Sequence, residues 1–201
     1  PVGEVLTVQD AVHRPEFDPS NPDFALVRVL ACALAPGDAR VLSGRTQRFQ
    51  GPPALPYIPG GDVCGVVEAV AHGETRLRVG DTVVAQFHKN HGGLAEYAVV
   101  RTQFCEPKPA CLTPAEGAAT ASSGATAMVL ARHIQRGDRV LILGGAGGVG
   151  TFLVQLAKAR GAAFVAATST QTDLLRQLGA DEAIDYRSVD VWTLPQFQTA
   201  H

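Results

Sequence analysis

At 201 residues, 46% hydrophobic and 18% charged, the chain has an ordinary globular composition and room for one large domain or two small ones. A formal charge of −2 supplies no electrostatic reason to hold nucleic acid or an anionic membrane. No apolar run reaches the roughly 20 residues that span a bilayer, and Cys32, Cys64, Cys105 and Cys111 form no C-x-x-C pair, which argues against a zinc knuckle or disulfide framework.

The start, Pro-Val-Gly-Glu, has neither an initiator Met nor a secretory pattern, and reads as the edge of something longer. Up to about residue 112 the texture is β-rich. Strands are expected over 24–35, 62–70, 81–86 and 94–100, punctuated by Pro59-Gly60-Gly61, Gly80-Asp81 and Gly92-Gly93. Short strands with frequent turns suggest a small barrel-like unit. A long Pro-, Gly- and Arg-containing loop is expected over 43–60, of the kind that carries function or moves. Asp38 reads as a local helix cap, Tyr57 as a half-buried packing aromatic, and His88 and His91 as exposed loop residues. The cysteines, lying among apolar neighbours, read as buried free thiols in a reducing compartment, with the cytoplasm as the expected location and an organelle as the alternative.

At Thr113 the pattern changes. Thr113-Pro114-Ala115-Glu116 is a capping box with proline at the first helical position. An Ala-rich helix is expected to run to His133, ending near Gly137. From Arg139 the order is strand, helix, strand, helix. The second helix spans 170–178 and stops at Gly179, and a third short strand closes on Asp185-Tyr186. This is a βαβαβ half of a doubly wound parallel sheet.

Residues 139–150 hold the strongest motif. Val140 and Ile142 lie on an apolar strand that runs into a glycine-rich turn, and an amphipathic helix with Phe152, Leu153 and Leu156 on one face follows. Gly145, Gly147 and Gly150 fit G-x-G-x-x-G; Gly144, Gly147 and Gly150 fit G-x-x-G-x-x-G. Such a turn lets backbone approach a pyrophosphate and aims the positive end of the helix dipole at it. Gly144, Gly145, Ala146, Gly147, Gly148, Val149 and Gly150 are therefore the expected dinucleotide contacts. An NAD site would place an acid about 20 residues further on, to hold the ribose 2′-hydroxyl. That place is Ala167-Thr168-Ser169-Thr170, whose hydroxyls leave room for a 2′-phosphate and favour NADPH over NADH.

With these elements in place, the sequence resembles the medium-chain dehydrogenases/reductases, in their zinc-free quinone oxidoreductase branch. Ala33-Leu34-Ala35-Pro36-Gly37-Asp38 resembles the family's Gly-Val-Asn-Pro-x-Asp segment. The stretch from Pro56 through Gly60-Gly61-Asp62 to Val66-Val67 resembles its Pro-x-x-x-Gly-x-Asp/Glu-x-x-Gly-Val-Val strand. Val79-Gly80-Asp81-Thr82-Val83, Gly92-Gly93-Leu94-Ala95-Glu96-Tyr97, Gly124-Ala125-Thr126-Ala127 and Leu178-Gly179-Ala180-Asp181 with Asp185-Tyr186 extend the match over most of the chain. The resemblance implies an α/β architecture: a GroES-like β-barrel substrate domain over 1–112, a connecting helix over 113–137, and the first half of a Rossmann domain over 138–201. It implies hydride transfer from NADPH to a quinone or an α,β-unsaturated carbonyl, with no nucleic acid or membrane partner and, for the intact protein, a homodimer.

Zinc-dependent relatives carry ligands at the places of Ala35, Gly61 and Ala118, none of which can bind the ion; Asp62 alone makes no site, so no metal is expected. Tyr186 matches a position near the adenosine phosphate, and Thr126 one near the nicotinamide. A basic partner for that phosphate is replaced by Asp173, with Arg176 and Arg187 as substitutes or as parts of a solvated helix face. Quinone reductases often have Asn at Ala35 and Tyr at Thr46, so Thr46, Tyr57 or water is left to supply the proton. Two other readings share these motifs: an enoyl reductase domain of a fatty-acid or polyketide synthase, and a non-catalytic NADPH-binding sensor or structural protein. With three strands of an expected six and an open edge at 140–143, residues 1–201 are expected to be an inactive, poorly folded fragment on their own.

Overall fold

Five strands form the first sheet: β1 (Phe24–Ala33), β2 (Asp62–Val70), β3 (Thr82–Gln86), β4 (Tyr97–Arg101) and β5 (Cys105–Pro107). They are antiparallel and ordered β4-β1-β2-β3-β5. The computed structural model describes residues 6–10, 12–51, 55–86 and 92–198, so His88 and His91 lie outside the described residues. The chain divides into two units, Pro1–Ser122 and Ser123–His201. The break falls inside the segment expected as a connecting helix.

The first unit follows the strand expectation with small shifts. Alternating valines and alanines point inward: Ala25, Val27, Val63, Val67, Val83, Ala85 and Val100 form one buried cluster with Leu77 and Cys105. Register shifts between Leu26/Val27 and Val29/Ala31 on β1 bend the sheet. β1 ends at Ala33 rather than at residue 35, because Ala35 already caps α1 (Pro36–Leu42), whose first position is proline. Within the expected loop lies a single helical turn, α2 (Gln47–Gln50). β5 has no counterpart among the expected strands: three residues of Cys-Glu-Pro carry too little periodicity to register.

The capping box forms as expected at α3 (Pro114–Ala119). Thr113 Oγ1 accepts the Glu116 N–H at 3.2 Å, and Glu116 Oε2 accepts the Thr113 N–H at 2.8 Å. The helix then widens into a π-turn over Thr120–Gly124 before α4 (Ala125–Ala131). A π-turn of this kind often marks a functional position.

The second unit contains the expected parallel sheet, β6 (Arg139–Ile142), β7 (Phe164–Thr168) and β8 (Glu182–Ile184), ordered β6-β7-β8. Helix α5 (Gly148–Ala159) packs on β6 and β7 through Val154 and Ala157, against Ile142, Val165, Ala167 and Leu175. Helix α6 (Thr172–Gln177) is shorter than expected. Ser169 Oγ accepts the Gln171 N–H at 3.0 Å and holds the residues before it in a turn. The third strand also stops early, since Asp185 turns the chain. A final short helix, α7 (Pro195–Gln198), follows. β6 has one neighbour among the described residues, so its other edge is unpaired, as expected.

Candidate functional site

In the second unit the strand–turn–helix leaves little room for side chains. Gly144 has φ +74°, a conformation that favours glycine. A Cβ on Gly145 would lie 2.8 Å from both Ala167 Cβ and Leu175 Cδ2, and one on Gly150 would collide with the Gly144 carbonyl oxygen and with Gly145. The turn is closed by Gly147 N–H on the Gly144 carbonyl at 2.9 Å. It is tied to β7 by Gly145 N–H on the Thr168 carbonyl at 2.9 Å and Gly144 N–H on Thr168 Oγ1 at 3.0 Å. The buried Thr168 therefore braces the turn.

Helix α5 begins at Gly148 with Gly147 as its cap, and no side chain caps it. The first amides of a helix have no intrahelical acceptor, and here no local hydroxyl or carboxylate claims them. Twelve residues of helix end on bare amides and the positive end of the dipole. This is the arrangement that receives a pyrophosphate. Ala146 and Val149 are half-buried, whereas Gly147 and Gly148 are exposed.

Ser123 belongs to no motif legible in the sequence, yet its Oγ lies 3.0 Å from where a Gly148 Cβ would stand, so a side chain there would have to push the hydroxyl aside. A hydroxyl within an alanine-rich helix was the available signal. Thr126, three residues further along, is exposed on α4, which packs against α5. At the strand ends, Ser169 is buried and its N–H bonds the Ile184 carbonyl at 3.0 Å; Tyr186 is 57% exposed two residues beyond Ile184.

In the first unit two carboxylates organise the residues around Ala35. Asp38 is the cap expected, and it does more. Its Oδ2 accepts the Ala35 N–H at 2.8 Å, and its Oδ1 accepts the Gly60 N–H at 2.9 Å across 22 residues of chain. Gly60 has φ +97°, and a Cβ there would strike Cys32 Sγ, so only glycine fits between this clamp and β1. Gly93 and Leu94 donate to the carbonyls of Gly60 and Pro59 at 2.8 and 3.0 Å, fixing the turn from a third segment.

Asp62 is buried at 5% exposure at the start of β2, and Ser122 in the π-turn donates its hydroxyl to Oδ2. Burial pushes the Asp62 carboxyl above its ordinary range, against the opposing Ser122 hydrogen bonds. Burial likewise raises the Cys32 thiol to about 11, with the Asp38 and Asp62 charges adding to it.

Tyr57 is half-buried beside Asp38; burial first, and then the Asp38 charge, push its phenol up and keep it protonated near neutrality. Thr46 stands at the start of α2 and its side chain caps nothing. Ala35, Gly61 and Ala118 offer no metal ligand atom. A side chain at Gly61 would meet nothing within 4 Å, so that side of the turn is open.

Residues 21–110 match the family described as the alcohol dehydrogenase GroES-like domain. The chain is 38% identical over 204 aligned residues to a 2-methylene-furan-3-one reductase of Solanum lycopersicum, covering 96% of this chain and 51% of that protein. It is 36% identical to an NADPH-dependent alkenal/one oxidoreductase, chloroplastic, of Arabidopsis thaliana, covering 96% of this chain and 52% of that one. Among solved structures it is similar to the Escherichia coli quinone oxidoreductase complexed with NADPH, with TM-score 0.77, 28% identity, and 89% of this chain and 55% of that one covered. The chain thus spans about half the length of the curated relatives it matches.

Proposed function

The chain belongs to the medium-chain dehydrogenase/reductase superfamily and is quinone-oxidoreductase-like, and on that premise we propose that it is part of a zinc-independent oxidoreductase that transfers hydride from NADPH to a quinone or an α,β-unsaturated carbonyl. The observation that carries the proposal is the uncapped start of α5, set on a turn packed so closely against β7 and α6 that side chains at Gly145 and Gly150 would collide with the protein itself. Gly144 through Gly150 hold that pyrophosphate, and Ser169 and Tyr186 face the adenosine end. Thr168 braces the turn, and Thr126 serves the nicotinamide end. When bound, NADPH supplies the hydride.

The donor set favours an electron-poor acceptor. Ala35, Gly61 and Ala118 cannot ligate zinc, and Asp62 is committed to Ser122. Without a Lewis acid, a simple ketone lacks the polarisation that hydride attack needs. A conjugated carbonyl needs only positioning and a proton at the developing enolate. Tyr57, held protonated by burial and Asp38, is the proposed donor, with Thr46 at the start of α2 or water as the alternatives. Asp38 is a poor base because both of its oxygens already accept backbone N–H groups. The names of the tomato and Arabidopsis relatives support the enone class, and the complex of the E. coli quinone oxidoreductase with NADPH supports the cofactor.

The test is NADPH oxidation by the intact protein of which this chain is part, against a panel of quinones and enones, with and without a chelator. We expect turnover that the chelator leaves intact and a lower KM for NADPH than for NADH. Binding without turnover would instead favour a non-catalytic sensor, and loss of activity with the chelator would refute zinc independence.

A further inference from the structure

Four arginines of the second unit gather at the end opposite its glycine turn. That turn follows the end of β6, whereas Arg132 caps the end of α4, Arg136 lies before β6, Arg139 begins it and Arg160 caps the end of α5. Backbone bonds bring these segments together. Gly137 N–H meets the Gly161 carbonyl at 2.9 Å, so Arg136 and Arg160 each precede one of two joined glycines. Ala163 N–H bonds the Asp138 carbonyl at 2.8 Å, and Arg139 pairs in register with Phe164.

Two of the side chains are placed by their neighbours. Arg139 holds its guanidinium carbon 4.3 Å from the centre of the Phe164 ring. The stem of Arg136 lies against the turn after α5, its Cγ 3.3 Å from where a Gly161 Cβ would stand. All four arginines are exposed, and none forms an ion pair among the described residues. Helix ends alone do not require this much charge. The carbonyl ends of α4 and α5 point this way, each worth at most about half a negative charge. Asp138 adds one carboxylate, with an oxygen already accepting the Gln135 N–H at 2.7 Å. Together these offset about two of the four guanidiniums. A local excess of positive charge is left over on a chain whose formal charge is −2.

The surroundings of the cluster select the kind of anion. One helical turn before Arg132 and His133, α4 exposes Met128 and Val129, at 46% and 52%. Spacings of three and four residues put these apolar and cationic side chains on one face. Arginine and methionine are enriched at protein interfaces and lysine is depleted there. Lys158, the one lysine of this unit, is already paired with Asp181. A phosphate backbone would satisfy the guanidiniums and leave Met128 and Val129 without a partner.

We propose that this end of the second unit is a docking surface for an acidic, amphipathic segment of a partner protein. The segment sets carboxylates against Arg132, Arg136, Arg139 and Arg160 and apolar side chains against Met128 and Val129. Guanidinium forks match carboxylates bidentately. Phe164 and Gly161 already hold two of the four side chains, which limits the ordering cost of using them. The surface lies away from the nucleotide turn and does not depend on what that turn binds.

The test follows, by fluorescence anisotropy, a labelled helical peptide with glutamates on one face and leucines on the other, titrated with the intact protein of which this chain is part. Combining Arg132→Gln, Arg136→Gln and Arg160→Gln should weaken its Kd about tenfold or more, and the three corresponding Lys substitutions only about twofold. Met128→Ser should weaken it about threefold. Combining Arg40→Gln, Arg45→Gln and Arg48→Gln removes exposed, unpaired cations of the first unit and should change it by less than about twofold. Added salt should weaken binding, and a peptide with Gln in place of Glu should not bind. If the triple Gln variant fails to fold by circular dichroism, Arg160→Gln alone carries the comparison, at about threefold. The proposal is overturned by a wild type that does not bind the peptide, by equal binding of the Gln peptide, or by an equal loss in the first-unit variant. It is overturned as well if a single-stranded oligonucleotide or a phosphatidylserine vesicle binds more tightly than the peptide.

Discussion

At the start of α5 the chain works by leaving side chains out; around Asp38 and Asp62 it works by putting two carboxylates in. The α5 turn is made of backbone: amides, one bracing carbonyl and the hydroxyl of Thr168, with glycines wherever a Cβ would collide. The Asp38 region ties together segments far apart in sequence, Ala35 to Gly60 through Asp38, and β2 to the π-turn through Asp62 and Ser122. A backbone site is intolerant of added volume and indifferent to pH. A carboxylate site tolerates volume where it is open, as at Gly61, but depends on charge and protonation.

The largest effect should come from volume in the backbone site. Gly150→Val places a branched side chain against the Gly144 carbonyl and Gly145. Overpacking of this kind costs about 1–3 kcal/mol of folding stability, and because it displaces the turn that carries the α5 amides, NADPH affinity should fall by about tenfold or more in a fluorescence titration. The same substitution at Gly61, where a Cβ meets nothing within 4 Å, should leave nucleotide affinity unchanged. Equal losses at the two glycines would erase the distinction between the regions.

Removing a carboxylate clamp comes next. Asp38→Ala leaves the amides of Ala35 and Gly60 without their acceptor. Loss of a cap costs about 0.5–2 kcal/mol, and the second, long-range bond adds about 1. Denaturant unfolding should show a drop of about 2 kcal/mol in the transition of the first unit, with Asp38→Asn falling between it and the wild type. A change below about 0.5 kcal/mol would show that Gly93 and Leu94 hold the Gly60 turn unaided.

The two regions also differ in how much the sequence disclosed. The glycine turn was legible because its constraints are local: strand, turn and helix are contiguous, and glycine at 144, 145, 147 and 150 is itself the signal of close backbone approach. The parallel βαβαβ order and the capping box at Thr113 were legible for the same reason. The carboxylate region was half legible. Asp38 reads as a cap from its spacing to Ala35, but its bond to Gly60 spans 22 residues and leaves no periodic trace. The same holds for Asp62 with Ser122 and for Ser123 under Gly148. Helix and strand ends were displaced where a side chain competed for the backbone, as with Ser169 before α6 and Asp185 after β8.

Smaller still, and of opposite sign in the two units, are the responses to pH. Asp62 has its carboxyl raised by burial. A raised acid means the folded state binds more protons than the unfolded one between the unfolded value, near 3.8, and the folded value. The first unit therefore gains relative stability from Asp62 as pH falls through that window and loses it as pH rises. In the second unit Asp181 is lowered, chiefly by the hydrogen bond from Lys158 Nζ at 2.9 Å and then by the Val165 N–H at 2.7 Å. Its contribution is present above the unfolded value and is lost as pH falls through the folded one.

Hydrogen exchange resolved by residue separates the two. On acidification, protection in β7 and β8 should weaken in the wild type and less so in Asp181→Asn, while Asp62→Asn should remove an acid-side gain in β2. Because the Lys158–Asp181 pair is about one-third exposed on each side, Lys158→Met should cost only about 0.5 kcal/mol at neutral pH. A larger loss there would mean that the cation, rather than the Val165 amide, fixes Asp181 against the sheet. Matching acid responses in both units would mean that the Ser122 hydrogen bond outweighs burial at Asp62, and that the carboxylate of the first unit is held charged like that of the second.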